Sequence, residues 1–400
     1  MSGKNSANRG RVRMAAFLLV QVGVLGMAVG VCRAKLAQSE SRARLPALRQ
    51  APRRIGPLYD DPGVASDEQL RAVLYRLRPR LRGPKPTINH VDHALRFWGV
   101  EARFRDPECL SGAEMRDILL RHRKFAEVWG KETPLLLSED AKGLLFRTMH
   151  GLATSGHIDH TLGCLAEVGT PLDYPVETPH GDSTVRAILE ASLRRFSLNQ
   201  GEYEWSALAY ALYFDSATPW ISLERQEISF DRLAERIMRE ELPRGVCFGQ
   251  HRLHALVMFL RIDEDQRILS PTCRAKVIRH LREVAGLLSA GQDPQGYWND
   301  AWAEGIPPAP EEIEEEGPYG TLARRLLATG HILEWLALAP EEVQPPRGVV
   351  RRAGQWLCRT VAAMSDEQIR QHYTILTHVG RGLALWRGRL PSYYADVSNR

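Results

Sequence analysis

Three stretches of the chain set a histidine and a second polar residue three positions apart in otherwise apolar surroundings. They are Ala153-Thr-Ser-Gly-His157-Ile, running on to His160; Gly249-Gln-His251-Arg-Leu-His254; and Ala328-Thr-Gly-His331-Ile, running on to Glu334. In each, a glycine stands shortly before the first histidine. Positions i and i+3 share a helix face, so the pairs His157/His160, His251/His254 and His331/Glu334 would project from helices that are apolar elsewhere. Imidazole and carboxylate ligate divalent metals, and HxxH spacing on a helix offers two ligands on one face. The same groups serve as acid and base, because histidine titrates near neutrality. The plainer reading gives each histidine a backbone carbonyl and a structural role. Repetition favours a shared inner location more than it favours catalysis. No cofactor is demanded, and a divalent metal at the His pairs is the one the residue types would accept.

Acids and aromatics gather at two further places. Glu202-Tyr-Glu204-Trp205 opens an apolar run, and Tyr297-Trp298-Asn-Asp300-Ala-Trp302 follows a glutamine-glycine turn. Aromatic planes beside carboxylates suit a sugar, with Trp205 and Trp298 stacking on its rings and Glu204 and Asp300 as the two acids that could cleave a glycosidic bond. Against this, Glu202 and Glu204 at a helix start complement its dipole, and aromatics at helical spacing are usually packing. The packing reading is the stronger. Glu177-Thr-Pro-His180-Gly-Asp182 reads as a polar loop, and the acid run Glu311 to Glu316 as solvated surface. There is no GxSxG elbow, phosphate loop, HExxH or GxGxxG, and the six cysteines form no CxxC pair.

The elements that must position these groups are helical. Apolar residues recur at three- and four-residue steps over 66–81, 111–129, 138–168, 183–196, 204–214, 228–241, 249–261, 271–290, 319–338, 347–364 and 366–387. Strand alternation is scarce and the joints are short, which predicts an all-α fold of antiparallel hairpins. Gln292-Asp-Pro-Gln-Gly296-Tyr-Trp298 resembles the QxxxGxW motif of squalene and terpenoid cyclases, which stack helical hairpins into an α/α toroid. The resemblance covers about seven residues and implies a toroid or partial toroid, with the glutamine capping helix ends and the tryptophan packing beside it. It implies no chemistry. The cyclase acid motifs are missing, since Asp263-Glu-Asp265 is followed by Gln266 and Asp60-Asp61 lacks a third partner. No stretch matches the zinc-ligand motifs of the related protein prenyltransferases.

The first residues belong to a different regime. Lys4, Arg9, Arg11 and Arg13 form a basic tail over 1–13, followed by the apolar run Met14 to Val31, the pattern of an export signal or single anchor. Cleavage after Ala34 would release the remainder. Retention, the preferred reading, would make 14–31 a membrane span with the body outside the cytoplasm. Residues 35–87 read as a Pro/Arg-rich linker with a short helix, and 88–400 as the helical domain. Residues 1–54 hold eleven Lys and Arg against one acid, so of the net charge of +5 the tail carries +10 and the rest −5. A mildly acidic body gives no support for nucleic-acid binding. The expectation is an exported or membrane-anchored toroid that binds a glycan or lipid-like small molecule in a central cavity. The alternatives are a carbohydrate-active or prenyl-chain enzyme in the same cavity, and a non-catalytic interaction scaffold.

Overall fold

The computed structural model describes residues 45–400 except 84, 85, 149, 150, 152, 310–314, 316, 318, 319 and 396–400, together with scattered positions between Gln21 and Gly30. The chain divides into two units, Met1–Leu45 and Pro46–Arg400. In the first, the described positions between Gln21 and Gly30 are helical and exposed. Most of the expected span Met14–Val31 lies outside the described residues, as do the basic tail and the Ala34 cleavage point. Among the described residues no helix is long and apolar enough to cross a membrane.

The second unit is mostly α-helical, with three two-stranded antiparallel hairpins at its periphery. Six helices form its centre: α2 (Ile88–Trp98), α5 (His160–Glu167), α7 (Tyr203–Tyr213), α9 (Gln250–Gln266), α11 (Thr321–Leu338) and α14 (Tyr373–Trp386). Each packs on the next in this order, and α14 packs back on α2, so the contacts close into a ring. The remaining helices lie against it. These are α1 (Asp67–Arg76), α3 (Gly112–Leu120), α4 (His122–Trp129), α6 (Val185–Arg195), α8 (Phe230–Arg239), α10 (Pro271–Ala290), α12 (Arg347–Ala363) and α13 (Asp366–Gln371). Thus α3 packs on α2, α6 on α7, α10 on α9, and α12 on α11 and α1.

Burial follows from this placement. Every residue of α7 is buried, and from Ala328 to Leu338 so is every residue of α11, as expected of helices enclosed on all sides. The peripheral α8 instead buries only Phe230, Leu233, Ala234 and Ile237, one apolar stripe. Small residues let the inner helices approach closely: a Cβ on Gly380 of α14 would sit 2.4 Å from the Phe97 ring of α2. Helix starts are well specified. Ser66, Thr87, Ser111 and Ser365 each close a capping box with the residue three positions on, which fills orphan N–H groups of the first turn.

The segment from Pro46 to Val64 lies along the domain. Arg49 and Arg53 donate backbone N–H bonds to Tyr213 and Leu212 at 2.8 and 3.0 Å, and Tyr59 stacks on Trp386 at 4.7 Å. The Gln292 motif is structural: the Gln292 Nε2 donates to the carbonyls of Gly296 and Val349 at 3.0 and 2.8 Å, tying the turn to the start of α12. One helical expectation fails locally. Residues 138–168 hold the hairpin β1 (Leu137–Asp140) and β2 (Gly143–Phe146), and only His160–Glu167 is helical. The Asp140 carboxylate accepts the Lys142 N–H at 2.7 Å and closes the turn, a local bond that competes with helix. The loop at 177–182 is likewise a hairpin, β3 (Pro175–Thr178) with β4 (Gly181–Thr184).

Candidate metal centre

Five of the six central helices, or the turns that open them, turn histidines toward one another. Ring centroids run from His93 to His160 at 4.6 Å, to His157 at 5.9 Å, to His251 at 6.3 Å, to His331 at 5.5 Å, to His378 at 3.6 Å, and back to His93 at 5.4 Å. Six imidazoles therefore form a closed circuit inside the closed circuit of helices. The sixth helix, α7, contributes Trp205, whose ring meets His160 edge-on at 4.4 Å and His251 at 4.9 Å.

In every one of the six, Nδ1 is engaged by an oxygen. The Asp92 carboxylate takes His93 and His160, each at 3.0 Å. Glu202 takes His157 at 2.6 Å and His251 at 2.8 Å. Glu334 takes His378 at 2.6 Å, and the Leu327 carbonyl takes His331 at 2.8 Å. An acceptor on Nδ1 holds the proton there and leaves the Nε2 lone pair for something else. Histidines that ligate metals are commonly held in this way, the other ring nitrogen bonded to a carboxylate or a backbone carbonyl. The His331 Nε2 is buried and has no hydrogen-bond partner.

A second group of charges lies beside the circuit. Arg96 bonds Glu167 and, at 2.7 Å, Glu334; Arg381 bonds Glu334 and, at 3.0 Å, Glu167. His254 joins this square through Glu167 at 3.3 Å. Burial opposes both carboxylates, but the two guanidinium groups outweigh it and hold them well below the usual carboxylate range. Two acids and two bases cancel. Among the described residues Asp92 and Glu202 have no guanidinium partner: Asp92 meets imidazoles and the Thr161 hydroxyl, Glu202 imidazoles. Burial raises both, yet bonding from His160 and His93 on one, and His157 and His251 on the other, keeps them ionised far below that range. Several of the imidazoles are held neutral by burial. Burial pushes His160 down to about 4 despite Asp92, and His378 down to about 3 despite Glu334. Burial also lowers His251, and it lowers His331 with help from neighbouring His378 and His251. His157 is raised, by Glu202 against its own desolvation, and can carry positive charge beside that carboxylate. Four carboxylates against two guanidinium groups and the raised His157 leave about one to two negative charges in a low-dielectric core, a state that costs several kcal/mol per ion unless a cation enters.

Cys247 completes one side. It lies on the turn before α9, where Cys247, Phe248 and Gly249 are consecutively left-handed (φ 50°, 57° and 77°). Such backbone is sparsely populated for non-glycine residues and persists only where its surroundings enforce it. Here the Trp302 indole donates to the Phe248 carbonyl at 3.0 Å, and a Cβ on Gly249 would lie 1.8 Å from the Leu242 carbonyl oxygen. Ligand atoms of Cys247, His251 and His331 all lie within 4.8 Å of one another, as do those of Asp92, His93 and His160. Access is from one side, since the His157 side chain is 32% exposed and that of His93 11%, whereas Glu167 and Glu334 stand at 2% and 3%.

The sequence pairs are all accounted for. His157, His160, His251 and His331 are in the circuit, His254 and Glu334 in the charge square. Trp205 lines the circuit. Trp298 is core, its indole bonded to the Leu288 carbonyl at 2.9 Å. Glu204 pairs with Arg252 at 3.1 Å, and half-exposed Asp300 lies 3.8 Å from Arg324, so the two acids have separate cationic partners. Sequence reasoning missed Asp92, His93, Arg96, Glu167, His378, Arg381 and Cys247, and it assigned Glu202 to the helix dipole. Ionisable residues at i, i+3 or i+4 on apolar helices, without the glycine-histidine requirement, would have flagged Asp92/Arg96 and His378/Arg381. No family model, curated protein or solved structure matches the chain.

Proposed function

We propose that this protein binds a divalent transition metal in a polyhistidine centre at the core of its helical domain, with Cys247, His251 and His331 as ligands. The observation that carries this reading is the two buried carboxylates, Asp92 and Glu202, whose only partners among the described residues, besides the Thr161 hydroxyl, are imidazoles. Imidazole and thiolate donors favour zinc, copper, nickel or iron over magnesium and calcium. Three protein ligands leave a coordination position open, as in catalytic rather than closed structural sites. A small molecule entering past His157 would meet the metal there. The closed circuit of six helices supports reading the domain as an α/α toroid whose inner ring frames this centre. The basic head and apolar run before Ala34 support work outside the cytoplasm, anchored or released. Detergent fractionation with an antibody to the C-terminus distinguishes those fates.

The test of the metal reading is direct. Purified full-length chain is stripped with chelator, titrated with Zn2+, and followed by thermal unfolding. Saturation at 100 times Kd adds about 2.7 kcal/mol, a rise of several degrees in Tm. His331→Gln should reduce the rise sharply. A chain that takes up no metal, with the same Tm in chelator and in Zn2+, overturns the proposal.

A further inference from the structure

We infer that the centre holds two cations, the second bound by His93 and His160 with Asp92 supplying the compensating charge. This deepens the metal reading and rests on it. The size of the circuit is the first argument. With sides of 3.6 to 6.3 Å between imidazole centroids, a ring of six has its centre about 5 Å from each centroid. Even with every imidazole aimed inward and reaching about 1 Å further, its nitrogen stops at roughly twice the metal–nitrogen bond of about 2.0–2.1 Å. One ion cannot be reached by all six. Two ions at the spacing typical of paired metals, about 3.5–4 Å, would each lie nearer one side of the circuit and take the donors there.

The donors are distributed accordingly. Cys247, His251 and His331 converge on one side, and His93 and His160 with Asp92 on the other. His93 and His160 stack face to face at 4.6 Å from two adjacent helices, held in parallel by the one carboxylate. That carboxylate is fully buried and anchored further by the Thr161 hydroxyl at 2.9 Å. The charges agree. The first site neutralises Glu202, which bonds its ligand His251, while Asp92 lies across the circuit with only His93, His160 and Thr161 as partners. The two sides also differ in kind. One gathers the Cys247 thiol with two imidazoles, the other two imidazoles with a carboxylate, and there the Cys164 thiol stands 3.7 Å from the His160 Nε2.

Cobalt(II) distinguishes the two sites in a Cys164→Ser background, which removes the thiol beside His160, because thiolate coordination gives a charge-transfer band that nitrogen and oxygen donors do not. The metal-free full-length protein is loaded with Co2+, and bound cobalt per chain is measured beside the near-ultraviolet spectrum. The expected result is two Co2+ per chain in the wild type. His93→Gln and His160→Gln should each fall to one while keeping the thiolate band. Cys247→Ser should lose the band. His93 is partly exposed, so His93→Gln keeps the test usable if His160→Gln fails to fold by circular dichroism. One Co2+ per chain in the wild type, unchanged in His93→Gln, overturns the second site and leaves the first standing. Two Co2+ in both histidine variants also overturns it, and no cobalt in the wild type removes both readings.

Discussion

Replacing Glu202 by glutamine separates a metal-site carboxylate from a structural one. Glu202 stands at the start of α7 with its side chain 9% exposed, one carboxylate oxygen 2.6 Å from the His157 Nδ1 and the other accepting from His251 at 2.8 Å. An amide offers one oxygen where the carboxylate offers two, so one imidazole loses its acceptor and the Nε2 lone pair that the acceptor fixed. Loss of such an outer-shell partner typically lowers metal affinity about 10- to 100-fold, or about 1.4–2.7 kcal/mol. The metal-free protein should respond differently, because removing a buried charge that has no guanidinium partner relieves a desolvation cost. We expect Glu202→Gln to unfold within about 1 kcal/mol of wild type in chelator. Glu334→Gln is the contrast. It leaves Arg96 and Arg381 sharing Glu167 alone, and breaking a buried pair in this way costs about 3–5 kcal/mol. Urea unfolding in chelator gives both stabilities, and competition with a chromophoric zinc chelator gives the affinities. If Glu202→Gln destabilises the metal-free fold as much as Glu334→Gln, or binds zinc as tightly as wild type, the charge argument is wrong.

Acid should destabilise the domain in two stages. His160 and His378 are held neutral in the fold, to about 4 and about 3, but charge near 6.5 once unfolded. Their contribution is complete above about pH 6.5 and is lost as pH falls toward the folded values. Glu167 and Glu334, depressed by their arginines, add a loss that begins only below about pH 4.3. Thermal melts in chelator from pH 8 to 4 check this, and a Tm flat from pH 7 to 5 contradicts it. Gly380→Ala forces a Cβ to 2.4 Å from the Phe97 ring and should cost about 1–3 kcal/mol by overpacking, read as a lower urea midpoint with unchanged slope. Trp302→Phe removes the bond to the Phe248 carbonyl and should weaken cobalt binding at the thiolate site while leaving occupancy by the His93 side intact, measured by loss of the charge-transfer band at limiting cobalt.

Spacing made the inner helices visible because an apolar helix interrupted by a lone polar pair has nowhere outward to send it. His157/His160, His251/His254 and His331/Glu334 could be placed on inner faces for that reason. Which helices meet is not written in any one of them. Asp92 of α2 finds His160 of α5, and Arg381 of α14 finds Glu167 of α5, across sequence distances that no local pattern encodes. Glu202 was misplaced because a carboxylate at a helix start satisfies the dipole equally well without histidines nearby. The expected helix at 138–168 failed where Asp140 closed a turn on its own backbone. Cys247 carried no signal at all, since a single thiol beside a phenylalanine reads as core until the left-handed turn shows which way it faces.

The ring of helices closes with its last member. His93 lies on the first central helix and His378 on the last, and Arg96 and Arg381 reach the same two carboxylates from those two helices. A chain that has not yet delivered α14 has an open circuit, with Arg96 alone facing both Glu167 and Glu334. The circuit of imidazoles therefore closes only when the last helix docks, and a truncation before His378 should leave His93 and Arg96 without the neighbours that α14 brings them.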